Sequence, residues 1–272
     1  MRSSLLAATT MGQLQKKLDL ISHNMANANT PGYKTRTADF SSLLFQQLNN
    51  LSAGDEGATR TTPAGIRQGT GARLGHTNIK MDAGTIVSTN RPLDVALTDD
   101  KQFFQVQVNE NGQAVTQYTR AGNFYLQPIN NNEQVMLVTN EGNPIIGQNG
   151  PIVLQGNIDD ISIQNNGAIS VTRGGQAQIE ANLAIVQIER PRSLEAVGGN
   201  RYRFPDGALG VNLDDMIEAV QNVNIKVGSL ESSNVNLSEE MTSMLEMQRA
   251  YQFNSRSISM GDDMMNLINQ LR

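Results

Sequence analysis

Two narrow apolar rows, one at each end of the chain, constrain this sequence more than anything between them. Near the N-terminus Met11, Leu14, Leu18, Ile21 and Met25 recur at alternating intervals of three and four, the spacing that gathers side chains on one face of an α-helix. Gln13, Gln15, Lys16, Lys17 and Asp19 fill the other positions, so a helix over residues 3–28 has only that stripe to bury. Pro31 and Gly32 end it, because proline pushes its predecessor out of the helical region and glycine supports a turn. At the other end, residues 238–271 read as a helix about 50 Å long at about 1.5 Å per residue. Ser238, or Asn236 together with Glu239, supplies its N-terminal cap.

The second helix carries two rows. Leu237, Met244, Tyr251, Ile258 and Met265 stand seven residues apart, while Phe253, Ser257, Met260, Met264, Leu267 and Leu271 keep a three-four alternation to the end. Two rows on one helix call for more than one packing partner. Met241, Met244, Met247, Met260, Met264 and Met265 add an adaptable, methionine-rich surface. Gly261, which costs roughly 1 kcal/mol relative to alanine inside a helix, suits a close helix crossing. One alternative leaves the chain a monomer, with the two terminal stripes paired in a helical hairpin.

Between the ends the pattern changes. Phe40, Leu44, Leu48 and Leu51 read as a short second helical patch over 39–51, and a Gly-, Thr-, Ala- and Ser-rich connector follows to about residue 83. From 84 to about 204 the chain alternates short β-branched runs, including 85–87, 93–97, 103–108, 134–139, 158–164, 168–172 and 179–188, with turn signals at Asn111-Gly112, Asn166-Gly167 and Gly174-Gly175. Residues 211–225 read as an extra short helix. The expected class is α+β, with N- and C-terminal α-helices forming a coiled-coil-like assembly domain around a mainly β middle. The expected division is a helical segment 1–48, a connector 49–83, a β domain 84–210, a connector 211–237 and an assembly helix 238–272.

Composition narrows the chemistry. A net charge of -5 without clustered Lys and Arg argues against gripping nucleic acid. No stretch approaches the roughly 20 apolar residues of a membrane span, and the opening Met1-Arg2-Ser3-Ser4-Leu5-Leu6-Ala7-Ala8 breaks at Thr9-Thr10 too early for a cleavable signal. With no cysteine and only His23 and His76, neither a histidine-activated nucleophile nor a metal centre is expected; no cofactor is expected either. The acidic pairs Asp99-Asp100, Asp159-Asp160, Asp214-Asp215 and Asp262-Asp263 bring glycosidase carboxylates to mind. Adjacent residues point in different directions, which favours turn and cap roles.

Ala26-Asn27-Ala28-Asn29-Thr30-Pro31-Gly32-Tyr33-Lys34 resembles the Asn-rich motif that closes the N-terminal helix of flagellar rod and hook proteins. Ser233-Asn234-Val235-Asn236-Leu237 and Glu246-Met247-Gln248-Arg249-Ala250-Tyr251 resemble their C-terminal signature. Pro92-Leu93-Asp94-Val95-Ala96-Leu97, Phe103-Phe104-Gln105-Val106 and Tyr118-Thr119-Arg120-Ala121-Gly122-Asn123-Phe124 look like the β-domain of the distal and proximal rod proteins. The resemblance leans to the distal-rod type of the flagellar basal-body rod family. It implies a non-enzymatic axial subunit of the basal body, outside the cytoplasmic membrane, exported by the flagellar type III apparatus. It further implies self-association into a rod beside other rod and hook proteins. The subunit interface is expected at Met11, Leu14, Leu18, Ile21, Met25, Asn27, Asn29, Leu237, Met241, Met244, Tyr251, Ile258, Met264, Leu267 and Leu271. The competing reading is a monomeric protein that binds or modifies the cell wall.

Overall fold

The computed structural model describes residues 2–42, 45–47, 67–69, 72–110, 112–130, 133–205, 217–220 and 223–270. Two helices bracket a long series of short strands, so the class is α+β with a mostly β middle. The chain forms two compact units. One comprises Met1–Met25, Arg36–Asn78 and Leu237–Arg272; the other comprises Ala26–Thr35 and Ile79–Asn236.

In the first unit, helix α1 spans Arg2–Ala26 and helix α2 spans Leu237–Gln270. The three-four row of α1 marks its inward face, with Leu14 and Ile21 buried and Met11, Leu18 and Met25 half-buried. Gln13 Oε1 accepts the Leu74 N–H (3.1 Å), and Lys17 Nζ stands 4.9 Å over the Phe40 ring. Asn24 is the polar exception on this face. It is buried, its Nδ2 donates to Arg36 O (2.8 Å) and to Glu240 Oε1 (2.9 Å), and its Oδ1 accepts the Arg36 N–H (3.1 Å).

Within the helical patch expected over 39–51, the described residues 39–42 and 45–47 lie in strands instead. Arg36–Ser42 pairs with Ala72–Ile79, and Phe45–Gln47 pairs antiparallel with Arg67–Gly69. The row Phe40, Leu44, Leu48, Leu51 is too short to hold a helix against ladder bonds made to a distant strand. For the same reason part of the expected connector folds back to pair. Residues 48–66 lie outside the described residues.

The second unit is built on a six-stranded antiparallel sheet in the order Glu195–Gly198, Arg201–Arg203, Gln113–Thr119, Gln102–Glu110, Ile185–Ile188, Ile217–Ala219. Successive strand residues point to opposite faces, and here both faces are covered. Phe103 joins Tyr118, Val186, Ile188 and Tyr202 in one cluster. Its neighbour Phe104 joins Val106, Phe124, Leu137 and Ile169 in another. Edge-to-face rings stitch these cores, with centroids 5.1 Å apart for Phe104 and Phe124 and 5.7 Å for Tyr118 and Phe204.

Among the described residues this unit also has two three-stranded sheets and three two-stranded pairings: Ile146–Gly147 with Gly150–Pro151, Val95–Leu97 with Ile225–Val227, and Ile86–Ser88 with Ser229–Glu231. One three-stranded sheet orders Val153–Gln155, Gln134–Val138 and Tyr125–Ile129; the other orders Asp160–Ile163, Ala168–Arg173 and Gln176–Asn182. The turn signals at Asn166-Gly167 and Gly174-Gly175 fall between paired strands, with all three glycines at positive φ. The run 179–188 is not one strand. The chain leaves one sheet after Asn182, bonds Leu183 N–H to Gly167 O, and enters the six-stranded sheet at Ile185. The helix expected over 211–225 is corrected as well. Ile217–Ala219 is an edge strand on Ile185–Ile188, and Ile225–Val227 pairs with Val95–Leu97. Residues 211–216 lie outside the described residues.

Candidate assembly site

The resembling segments, scattered through the sequence, converge inside the second unit except for Leu237 and Glu246–Tyr251, which lie on α2 in the first. After α1 the chain turns at Asn27, whose carbonyl oxygen accepts the Thr30 N–H and whose Oδ1 accepts the Thr30 hydroxyl, both at 3.1 Å. Asn27 therefore makes the turn, while Asn29 is exposed. Gly32 then passes against another stretch of backbone. Its N–H donates to Glu231 O (2.8 Å), its φ is +69°, and a Cβ there would lie 2.7 Å from Ala121 N and from Arg120 C. Asn200 Nδ2 holds the preceding carbonyl, Pro31 O, at 3.0 Å.

Next along the chain, Lys34 enters a buried ionic node. Its Nζ donates to Glu231 Oε1 (2.7 Å) and to Asp82 O (2.6 Å). Glu231 Oε1 also accepts the Gly84 N–H (2.8 Å), and Oε2 accepts Arg120 Nε (2.8 Å). Arg120 Nη1 bridges Asp99 O and Gln102 O, each at 2.8 Å, with the guanidinium 5.7 Å from the Phe103 ring centre. The three charged side chains are at most 1% exposed.

Two cations share one anion, so the three groups do not benefit equally. Burial is the largest influence on Glu231 and pushes its pKa up, but Arg120 and Lys34 together outweigh it and hold the carboxyl below its ordinary value. Burial, followed by repulsion from Arg120, lowers Lys34, and the attraction of Glu231 and Asp100 does not fully offset them. An ion pair usually raises a lysine. The fall in Lys34 follows first from burial and then from the neighbouring positive charge of Arg120.

Beside the node, Asn234 satisfies its whole amide. Its Oδ1 accepts the Thr35 N–H and hydroxyl, both at 2.7 Å, and its Nδ2 donates to Lys80 O (2.9 Å) and Asp82 O (3.0 Å). The Pro92–Leu97 and Tyr118–Phe124 segments meet each other too. Val95 N–H donates to Gly122 O (3.0 Å), Arg91 bonds Asp94 and Phe124 O, and a Cβ on Gly122 would collide with Val95 O.

Gly32→Ala tests how tightly this junction is made. The left-handed backbone costs an L-residue about 1–2 kcal/mol, and the new methyl meets peptide atoms that cannot rotate away, so the total loss is about 2–4 kcal/mol. Urea unfolding of the full chain measures it; a loss under about 0.5 kcal/mol would mean the approach is not close.

The expected interface residues, taken together with Phe253, Met260 and Met265 of the two α2 rows, divide by burial. Leu14 and Ile21 are buried in the first unit, while Met244, Tyr251, Ile258 and Met265 of α2 are half-buried. By contrast Leu237, Met241, Phe253, Met260, Met264 and Leu267 are exposed, and no residue of α2 is fully buried. Leu271 lies outside the described residues. Asn236 stands immediately before the first helical residue, with Glu239 and Glu240 in the first turn.

Carboxylates of two of the acidic pairs accept backbone N–H groups. Asp99 Oδ1 accepts the Lys101 N–H (3.0 Å), Asp159 Oδ2 the Gly174 N–H (2.7 Å) and Asp160 Oδ1 the Ile161 N–H (2.9 Å); Asp214 and Asp215 lie outside the described residues. Among the described residues no helix is long and apolar enough to cross a membrane. Sequence reasoning missed Asn24 and the node of Lys34, Arg120 and Glu231. Asn24 sat three residues after Ile21 on the apolar side, a signal that was there to read.

Three family descriptions match the chain in order. "Flagella basal body rod protein" covers residues 5–34, "Flagellar hook protein FlgE/F/G D1 domain" covers 99–171, and "Flagellar basal body rod FlgEFG protein C-terminal" covers 226–271. Each matched segment contributes one member of the buried node, in turn Lys34, Arg120 and Glu231. The chain is 40% identical to the flagellar hook-basal body complex protein FlhP of Bacillus subtilis (strain 168) across 100% of both chains. It is 34% identical to the flagellar basal-body rod protein FlgG of Buchnera aphidicola subsp. Acyrthosiphon pisum, covering 98% of each, and 30% identical to FlgG of Bacillus subtilis, covering 97% of each. With the resemblance running from end to end and its matched segments meeting at one node, the chain belongs to the flagellar basal-body rod protein family.

Proposed function

We propose that this chain is a structural subunit of the flagellar basal-body rod, joining its neighbours through the terminal helices. The carrying observation is the full-length similarity to proteins named as basal-body rod proteins. The subunit works at the basal body among other rod and hook proteins, reaches it through the flagellar export apparatus, and has a structural rather than a catalytic role. Supporting this, α2 leaves Phe253, Met260, Met264 and Leu267 in solvent although they form one continuous row. A contact that repeats head to tail without closing produces a filament. The inward residues Leu14 and Ile21 shape the helical unit, and the exposed row of α2 meets the next subunit in a coiled-coil-like contact. Of the remaining expected positions, Met11, Leu18, Met25, Asn27, Asn29, Leu237, Met241, Met244, Tyr251 and Ile258 line the two helices and their junctions.

The lack of native cysteine supplies the test. Leu18→Cys is combined in turn with single cysteines along 240–255, and the chains are oxidised in flagellated cells. Ladders of crosslinked multimers are the expected result. If every productive pair gave only an intramolecular bridge in a soluble monomer, assembly through these helices would be wrong.

A further inference from the structure

The chain has twelve methionines and no cysteine, so methionine thioethers are its only readily oxidised sulfur. Their exposure is uneven. Among the described residues the exposed methionines are Met241, Met260 and Met264, and all three lie on α2; the other described methionines are partly buried. Met260 and Met264 are 60% and 64% exposed. Four residues apart, they lie one above the other on the helix surface, on the same row as Phe253 and Leu267.

We propose that Met260 and Met264 are oxidation sites, and that their conversion to sulfoxides by a peroxide blocks self-assembly of the free subunit. This rests on the assembly reading above. In the reaction the thioether sulfur donates an electron pair to one peroxide oxygen and the O–O bond breaks. That oxygen remains on sulfur, and its hydrogen passes to the departing hydroxide, which leaves as water. Sulfur is oxidised by two electrons and the peroxide is reduced by two.

The consequence follows from the surroundings. In the free subunit a sulfoxide at either position is solvated, so the monomer's own packing is unchanged. In a contact between subunits the same oxygen loses water and needs a donor. Ser257 is the one hydroxyl on this row, three residues from Met260 and seven from Met264. The neighbours of Met264 along the row, Met260 and Leu267, offer no donor, which makes Met264 the more damaging site.

The test treats the purified full-length chain with hydrogen peroxide, maps sulfoxides by mass spectrometry and follows self-assembly by sedimentation. Met260 and Met264 are expected to oxidise before the half-buried Met244 and Met265, and to be protected in polymer formed beforehand. Treatment is expected to raise the assembly threshold about tenfold or more. The variant Met260→Leu/Met264→Leu, whatever its own starting threshold, should then shift by less than about twofold. The proposal is overturned if oxidised and untreated wild type assemble alike, or if the leucine variant is equally impaired by peroxide. Failure of untreated wild type to assemble at all would instead remove the assembly reading, and this proposal with it.

Discussion

Replacing Glu231 with alanine is expected to destabilise the β unit by about 3–5 kcal/mol, the range seen when one partner is removed from a buried ion pair. The carboxylate serves Lys34, Arg120 and the Gly84 N–H at once. Its loss leaves two buried cations and a backbone donor without their acceptor. Glu231→Gln should rescue little, because its amide restores one acceptor but turns an NH2 toward a cation and leaves both positive charges uncompensated. Replacing all three charged residues with apolar side chains of similar volume should recover part of the loss, since the desolvation cost of the ions disappears while the Gly84 N–H and the carbonyls of Asp99 and Gln102 lose these partners. With no tryptophan in the chain, tyrosine signals report the unit: Tyr33, Tyr118 and Tyr202 are all buried there. A shift of the urea midpoint worth less than about 1 kcal/mol in Glu231→Ala would show that the node contributes little.

The same node gives an acid signature. Because Arg120 and Lys34 hold the folded-state pKa of Glu231 below its ordinary 4.5 against the opposing effect of burial, the folded chain binds this proton less readily than the unfolded chain. The resulting stability is present above 4.5 and drains away as pH falls from there through the folded value. Lys34 is displaced below its ordinary 10.5, first by burial and then by Arg120. Its contribution therefore grows as pH climbs from its folded value toward 10.5 and adds nothing to the acid loss. Unfolding at a series of pH values from 7 downward should show a steeper acid decline in wild type than in Glu231→Ala.

What could be read in advance and what could not divide along one physical line, the sequence distance of the contacts. The three-four row from Met11 to Met25 and the Phe103-Phe104 pair are local patterns, and each reports a buried face directly. Glycine turns between adjacent strands are local as well. The pairing of Arg36–Ser42 with Ala72–Ile79 is not local, and a four-residue apolar row at 39–51 mimicked a helix in its place. Lys34, Arg120 and Glu231 each look like a solvated charge when read alone. Glu231 lies 197 residues from Lys34 and 111 from Arg120, so the node exists only in the fold. The family resemblance named the right segments without saying why they belong together, and the hydrogen bonds of Glu231 and Asn234 supply that reason.

The two rows of α2 should separate stability from assembly. Leu267 is 60% exposed, whereas Ile258 is half-buried in the same helix. Leu267→Asp is expected to leave monomer unfolding within about 0.5 kcal/mol of wild type, as for most surface changes. Yet if Leu267 enters a contact between subunits, the substitution removes about 1.5–3 kcal/mol of apolar burial and forces a carboxylate to lose water. The assembly threshold should therefore rise by at least about tenfold. Ile258→Asp should lower monomer stability and also weaken assembly, because its side chain is already partly enclosed before any neighbour arrives. Sedimentation and thermal unfolding on the same samples measure the two effects together. Equal loss of monomer stability in the two variants would make the Leu267 row part of the subunit's own packing. Unchanged assembly in Leu267→Asp would remove that row from the interface and leave the seven-spaced row of Met244, Tyr251, Ile258 and Met265 as the surface on which neighbours meet.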